Sequence, residues 1–474
     1  MTLEPPRIYR LLRAVVRTAL RLFFREIAVE GREHIPTTGG GLLVAWHPNG
    51  VIDPGLMLAA FPRQVVFGAR DGLLRWPLVG WVMRTLGTVP IYRAQDHAGE
   101  GEAARRKANA RSLDALAEAV AGGSFSALFP EGQSHNEPHV TDIRSGAARL
   151  YLRAKELGAE APALVPVGLH YDAKSVFRSD VLVVFHPPLE VPPDADVPTL
   201  NREIGHALAR VVHATDDWDL HRTMLQASTL VRAEAAARDG RRADRAPLAE
   251  RTADFEQMWQ GYHARLGTHP EEIEDLRREV TAYRRALARL GLHDHDLDAP
   301  ARPSLLRLLW TGTQGVLAYL LLRPLFLIGM VVNAPPYWAL KPLARRLARD
   351  EKDQATIKML GGFVLFPLAW IAASLLAVLG LAPLRTLAPW VPDAPVAIGL
   401  GAFALSVAGA VVALRSSELA VETSQAVRAR WTRWRRPEVV RDLRERRSRL
   451  FDRLVALADA ESGTLEPRFP ERSR

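Results

Sequence analysis

From Gly31 to about Pro188 short apolar runs alternate with longer helical stretches, and no other feature limits the fold as strongly. The strand candidates are residues 41–45, 64–67, 88–92, 126–129, 164–168 and 181–185, and the helical stretches between them are 73–86, 102–121 and 143–157. Alternation of this kind predicts an α/β domain, a mixed sheet flanked by helices. Chemistry in such a sheet collects at strand ends and in the turns that follow them.

Four blocks sit at those places. The first is Trp46-His47-Pro48-Asn49-Gly50-Val51-Ile52-Asp53-Pro54, directly after the first apolar run. It brings an imidazole and a carboxylate to the mouth of the sheet. A His held by an Asp suits a general base, because the carboxylate fixes the tautomer and stabilises the imidazolium once the proton has moved. The second block is Gly87-Thr88-Val89-Pro90-Ile91-Tyr92-Arg93, a strand ending in a planar cation matched to phosphate. The third is Ala127-Leu128-Phe129-Pro130-Glu131-Gly132-Gln133-Ser134-His135, a strand opening into a Pro-Glu-Gly turn. Gly132 there allows a ligand close to the backbone. The fourth is Ala163-Leu164-Val165-Pro166-Val167-Gly168. Plainer readings stand beside these: Arg93 also fits a strand-end pair with Asp96, and Glu131 fits a cap on the next element. His135 and His139 fall in a polar loop and are expected in solvent. Arg144 and Arg149 fit either a phosphate contact or a solvated helix face.

In this order and spacing the four blocks resemble the glycerolipid acyltransferases, the glycerol-3-phosphate and lysophosphatidate acyltransferase superfamily, over roughly residues 25 to 190. The resemblance implies that fold and a His47–Asp53 catalytic dyad. It also implies an acceptor site built from Arg93, Glu131 and Gly132, with Ser134 beside them. It implies no cofactor and no metal: acyl-CoA or acyl carrier protein is the co-substrate, an acyl thioester donor. The chain departs from the family pattern twice. Five residues separate His47 from Asp53 where the family has four, and Pro48-Asn49-Gly50 can absorb the extra residue in a turn. Gln133-Ser134-His135 replaces the Thr-Arg-Ser of many lysophosphatidate enzymes, which is closer to the branch that acylates glycerol 3-phosphate. Acylation of lysophosphatidate or another lysolipid is the alternative, and a non-catalytic membrane scaffold of the same fold is the second. No Cys occurs in the chain, so a cysteine acyl-enzyme is excluded and direct attack of the acceptor hydroxyl on the thioester is the simpler path.

The 474 residues leave room for much besides this domain. The formal net charge is +9, and the basic residues flank apolar stretches without a nucleic-acid motif, so the lipid bilayer is the expected partner and nucleic acid is not. Residues 1–30 predict an amphipathic interfacial helix from about Ile8 to Ile27. Arg10, Arg13, Arg17, Arg21 and Arg25 lie on one face; Leu12, Val15, Val16, Ala19, Leu22 and Phe23 fill the rest. The same pattern fits a helix packed on the soluble domain. The start, Met1 to Pro6, lacks the form of a secretory signal. Residues 31–198 are the expected acyltransferase domain. Residues 199–303 read as a helical accessory region, with helices over 201–214, 221–239 and 271–290 and a charged surface turn over 239–251. Within it, His293-Asp294-His295-Asp296 reads as a loop.

Residues 304–415 form the expected membrane region. Segment 308–332 is interrupted by Arg323-Pro324 and predicts a re-entrant bend; 361–381 and 396–414 have the length of spanning helices. The third segment is rich in Gly and Ala, which suits close helix packing. Lys341, Arg345, Arg346, Arg349, Lys352 and Lys358 precede the second segment, and Arg415, Arg428, Arg430, Arg433, Arg435 and Arg436 follow the third. Only Arg385, against Asp393, lies between them. The positive-inside rule then puts the first loop and the basic helical tail, 416–474, in the cytoplasm. Abundant Arg, Ala and Leu fit a GC-rich bacterium, so the expected location is a bacterial inner membrane with the catalytic domain facing the cytoplasm. Oligomeric state, acyl-chain length and the choice of thioester carrier stay open.

Overall fold

The computed structural model describes residues 6–75, 77–92, 102–174, 176–241, 246–298, 305–348, 354–388, 390 and 392–459. The chain divides into two compact units. The first holds residues 1–221 with 248–252 and 347–359; the second holds 222–247, 253–346 and 360–474.

The first unit is built on a seven-stranded sheet: β1 (Glu26–Glu30), β2 (Gly41–Ala45), β3 (Val65–Arg70), β4 (Val89–Ile91), β5 (Phe125–Leu128), β6 (Ala163–Tyr171) and β7 (Asp180–Phe185). Their order across the sheet is β1-β7-β6-β2-β5-β3-β4. β6, β2, β5, β3 and β4 run parallel, while β7 is antiparallel to β6 and β1 runs with β7. The sheet is therefore mixed, as its sequence pattern predicts. β2 is the strand that decides the site. It lies between β5 and β6, with Val44 opposite both Leu128 and Pro166, so the loop leaving β2 has a strand end on each side.

Burial on both faces explains why β2 reads as an unbroken apolar run. Leu43 and Ala45 join a core with Val165, Val167 and Leu169, the Ile52–Ala60 helix and the Arg7–Phe23 helix. Leu42 and Val44 join a second core with the Glu102–Ala121, Gly146–Leu157 and Val197–Val211 helices.

The N-terminal helix ends at Phe23, earlier than the arginine spacing suggests. Glu26–Glu30 pairs with β7 instead, and Arg25 Nε donates to Asp180 Oδ1 at 2.9 Å, pinning the change of direction. The helix packs on the domain rather than offering its whole apolar side to an interface. Tyr9, Leu12, Leu20 and Phe23 are buried. Arg13 and Arg17 donate to the carbonyls of Pro62 and Ala59 at 3.2 and 2.7 Å. Ile8, Leu11, Val15 and Leu22 stay exposed on the outer side.

The second unit is helical. The Pro270–Leu290 helix shares a core with the Pro437–Asp459 helix, through Leu276, Val280, Tyr283 and Leu287 on one and Leu443 and Leu450 on the other. The later part of the accessory region, from Ala227 to Leu297, thus shares a core with the basic tail, while the Val197–Val211 helix belongs to the first unit. The Leu248–Arg265 helix begins inside the stretch read as a charged turn. Asp294 does not lie in a loop: it opens a short helix, Asp294–Leu297, and is buried, accepting from Tyr283 Oη and Gln226 Nε2 at 2.6 Å each. Arg447 is buried between Glu234 and Asp298, at 2.8 and 2.7 Å.

The apolar third forms long helices. Leu305–Leu347 runs on through Arg323-Pro324, where the sequence predicts a bend back. A proline removes one backbone hydrogen bond and kinks a helix; it need not reverse the chain. Among the described residues two helices are long and apolar enough to cross a membrane, Thr356–Leu379 and Pro395–Arg435. Gly329 and Gly409 let two of the helices touch backbone to backbone, since a Cβ on Gly329 would fall 2.1 Å from the Gly409 carbonyl oxygen. Asn333 joins them, donating to Gly329 O at 2.9 Å and Ser406 O at 3.3 Å and accepting from Trp370 Nε1 at 2.8 Å. Small residues at a crossing plus a shared amide are how helices associate without a hydrophobic drive.

Candidate active site

β2 ends at Ala45, and the chain turns through Pro48-Asn49-Gly50 into the Ile52–Ala60 helix. Gly50 takes φ +38°, which lets the turn hold the additional residue between His47 and Asp53. The helix then carries Asp53 in its first turn, fully buried. Its Oδ2 meets His47 Nδ1 at 2.8 Å and accepts from the Asn49 amide at 2.7 Å. A carboxylate only accepts, so Nδ1 carries the proton and Nε2 holds the lone pair. The imidazole stacks on Phe129, with centroids 4.1 Å apart and planes at 17°. The Val51 amide donates to Thr356 Oγ1 at 3.3 Å, closing the turn from outside.

From the β5 side comes Glu131, which is buried. Its Oε2 accepts from the backbone amide of His47 at 2.8 Å, and its Oε1 accepts from His135 Nε2 at 2.6 Å and the Thr141 amide at 3.0 Å. The His135 amide in turn donates to His47 O at 3.0 Å. The Pro-Glu-Gly turn therefore holds His47 by both its backbone groups.

From the β6 side comes Tyr171, the last residue of that strand. Its hydroxyl donates to Asp53 Oδ1 in a short hydrogen bond. Burial, then the Asp53 charge and this bond, push the Tyr171 hydroxyl well above its ordinary range, so it remains a donor. The loop beyond adds two ties: Lys174 Nζ donates to Pro48 O at 3.1 Å, and Asn49 Nδ2 to Lys174 O at 2.9 Å. An imidazole whose Nε2 has no partner among the described residues, held by an Asp over the carboxyl ends of parallel strands, can take a proton from a hydroxyl.

The Acyltransferase family model matches residues 26–170, the span from the start of β1 to one residue short of the end of β6. Two glycerol-3-phosphate O-acyltransferases of Saccharomyces cerevisiae are each 24% identical to this chain. The alignment to number 1 covers 51% of this chain and 32% of that protein; to number 2, 64% and 42%. Residues 26–170 thus form an acyltransferase-family domain, with glycerolipid acyltransferases among its relatives. An uncharacterized acyltransferase of Schizosaccharomyces pombe is 22% identical over 78% of this chain and 66% of its own length. The chain thus spans from about a third to about two thirds of the curated relatives it matches. A solved 1-acyl-sn-glycerophosphate acyltransferase of Thermotoga maritima aligns with a TM-score of 0.34 and 20% identity, over 43% of this chain and 78% of that one.

Within this acyltransferase domain the structure brings His47, Asp53, Glu131 and Gly132 together, and Arg93 lies outside the described residues. Gly132 has φ +74°, and the Arg144 side chain lies across it: a Cβ there would come 2.9 Å from Arg144 Cδ and 3.0 Å from Nε. Ser134 is half-buried in the same turn. Three N–H donors of the protein converge on the carboxylate of Glu131, the residue expected at the acceptor. His135 differs from its expected place in solvent. It is buried rather than solvated, since its ring fills the space between Glu131 and Trp46, 6.1 Å from the indole. Its spacing from Glu131, one helical turn's worth of residues, was the available signal. Tyr171 had no motif to announce it.

Proposed function

We propose that this chain is a membrane-bound O-acyltransferase that moves a fatty acyl group from an acyl thioester to a hydroxyl of glycerol 3-phosphate. The observation that carries the reading is the contact between His47 Nδ1 and Asp53 Oδ2 at 2.8 Å. It leaves Nε2 without a partner among the described residues. His47 Nε2 takes the proton as the acceptor oxygen attacks the thioester carbonyl. The tetrahedral intermediate collapses, the carbon–sulfur bond breaks, and the thiolate takes the proton back from Nε2. Asp53 keeps the imidazole in the required tautomer.

In this reading Glu131 works by holding the His47 backbone. The acceptor's phosphate is left to Arg93 and to Arg144, whose exposed side chain lies across the Gly132 turn. Gly132 and Ser134 line the turn that the polyol approaches. Glycerol 3-phosphate is favoured over a lysolipid by the Gln133-Ser134-His135 ending and by the glycerol-3-phosphate activity of the two yeast relatives. The two long apolar helices and the basic residues around them support membrane attachment with the basic loops on the cytoplasmic side.

The test is an acceptor panel of glycerol 3-phosphate, dihydroxyacetone phosphate and lysolipids, each supplied with radiolabelled acyl-CoA and the purified chain. Transfer to glycerol 3-phosphate above the others is the expected result. Preferred transfer to a lysolipid would move the assignment to the later acylation, and no transfer to any acceptor would point to a scaffold.

A further inference from the structure

We propose that Tyr171 is a positioning residue of the transfer reaction, its hydroxyl fixing the Asp53 carboxylate so that Oδ2 faces His47. The inference rests on the function proposed above. Asp53 has two oxygens and three protein donors. Oδ2 serves His47 Nδ1 and the Asn49 amide, and Oδ1 serves Tyr171. Asp53 is fully buried, so no water-facing orientation competes. Without the Tyr171 hydroxyl, Oδ1 would have no donor among the described residues, and the carboxylate could turn about its last torsion and exchange its oxygens.

Tyr171 is well placed to prevent this because it stands on the sheet. β6 is paired on both sides, and Tyr171 itself is in register with Val181 of β7. Its ring lies against Phe24, with centroids 6.0 Å apart. Trp46 Nε1 donates to Leu169 O at 3.0 Å, tying the same strand to the residue before His47. The donor therefore stands on a strand and the acceptor in the first turn of the helix that follows the neighbouring strand, and such elements hold geometry better than loops do.

The bond has an electrostatic consequence as well. A phenol donating to the carboxylate draws off part of the charge that stabilises the His47 imidazolium. The other charged and titratable groups around the pair are Lys174 at the Pro48 carbonyl, and Glu131 with His135 behind the His47 amide. None of these bonds to Asp53, so besides His47 itself Tyr171 is the one titratable side chain bonded to it among the described residues.

The test uses the full chain in lipid nanodiscs with acyl-CoA and glycerol 3-phosphate. Tyr171→Phe is expected to lower kcat by roughly 10- to 100-fold and to leave KM nearly unchanged. It should also move the acid limb of the kcat/KM profile to higher pH. Replacing Tyr171 by 3,5-difluorotyrosine, a stronger donor of nearly the same shape, should move that limb to lower pH. Opposite signs are something a purely structural role does not produce. A third readout needs no turnover: the downfield Nδ1 proton resonance of His47 should shift in both proteins. If wild type fails to transfer, the function reading fails, while the resonance still tests the contact. If the Phe variant does not fold, the difluorotyrosine protein carries the test alone. An unmoved acid limb and an unmoved resonance in folded variants would overturn the proposal.

Discussion

The backbone amide of His47 donates to the Glu131 carboxylate at 2.8 Å across 84 residues of chain. That bond joins the two most informative blocks of the sequence and makes Glu131 a support of the His47 backbone. Glu131→Ala would strand three donors, one buried on His135 and two half-buried on His47 and Thr141. The expected effect is a fall in kcat of about 100-fold with little change in KM for glycerol 3-phosphate. Steady-state kinetics on the folded variant separate the cases: a large rise in KM with kcat retained would return Glu131 to the acceptor site.

Asp53→Asn keeps the shape and removes the charge. The amide can present its NH2 to Nδ1, which drives the proton to Nε2 and spoils the base. Activity is expected to drop by about 10²- to 10⁴-fold with the fold intact by circular dichroism. Wild-type turnover in this variant would show that Asp53 does not orient His47.

Acid should loosen the first unit through its buried histidines. His170 and His213 stack with centroids 5.4 Å apart. Burial, followed by the nearby His186 and His221, pushes His213 from 6.5 down to about 4. The unfolded chain therefore binds this proton first, between pH 6.5 and about 4, and stability is lost as pH falls through that window. The loss from this group is about 3 kcal/mol once pH is below the window. His213→Asn suits the φ of +50° at this position and removes the titration. Thermal melts near pH 7.5 and near pH 5 are expected to differ less in the variant than in wild type. An equal difference would contradict the assignment.

Gly329→Ala should destabilise the second unit, because the new methyl meets the Gly409 carbonyl. The cost expected for forcing a methyl into a closed contact is about 1–3 kcal/mol. Gly401→Ala, on the Pro395–Arg435 helix with no atom within 4 Å of the added Cβ, is the control. Melting in detergent should fall for the first variant and hold for the second; equal behaviour would argue against the close crossing.

Most of the sheet was legible because its strands are apolar on both faces. β2 lies over the residues marked by its apolar run, and the Glu102–Ala121 helix matches its pattern. β1 was hidden because it is an edge strand, half-buried, with Glu26 and Glu30 at its ends. The Leu248–Arg265 helix was hidden because charges are scattered along it and blur the apolar spacing. The Pro395–Arg435 helix runs past its apolar stretch since no Gly or Pro follows until Pro437. At the site, His47 and Asp53 were legible because one loop carries both. Tyr171 was not: its partner lies 118 residues away, and only the order β6-β2-β5 brings them together.

The most direct measurement of the central claim is acyl transfer by purified His47→Ala, with its melting temperature recorded beside it. Removing the imidazole removes the base and leaves Asp53 held by Asn49 and Tyr171. Transfer to glycerol 3-phosphate should fall by about 10²-fold or more while the melting temperature stays near that of wild type. Activity close to wild type in that folded variant would contradict His47 as the base.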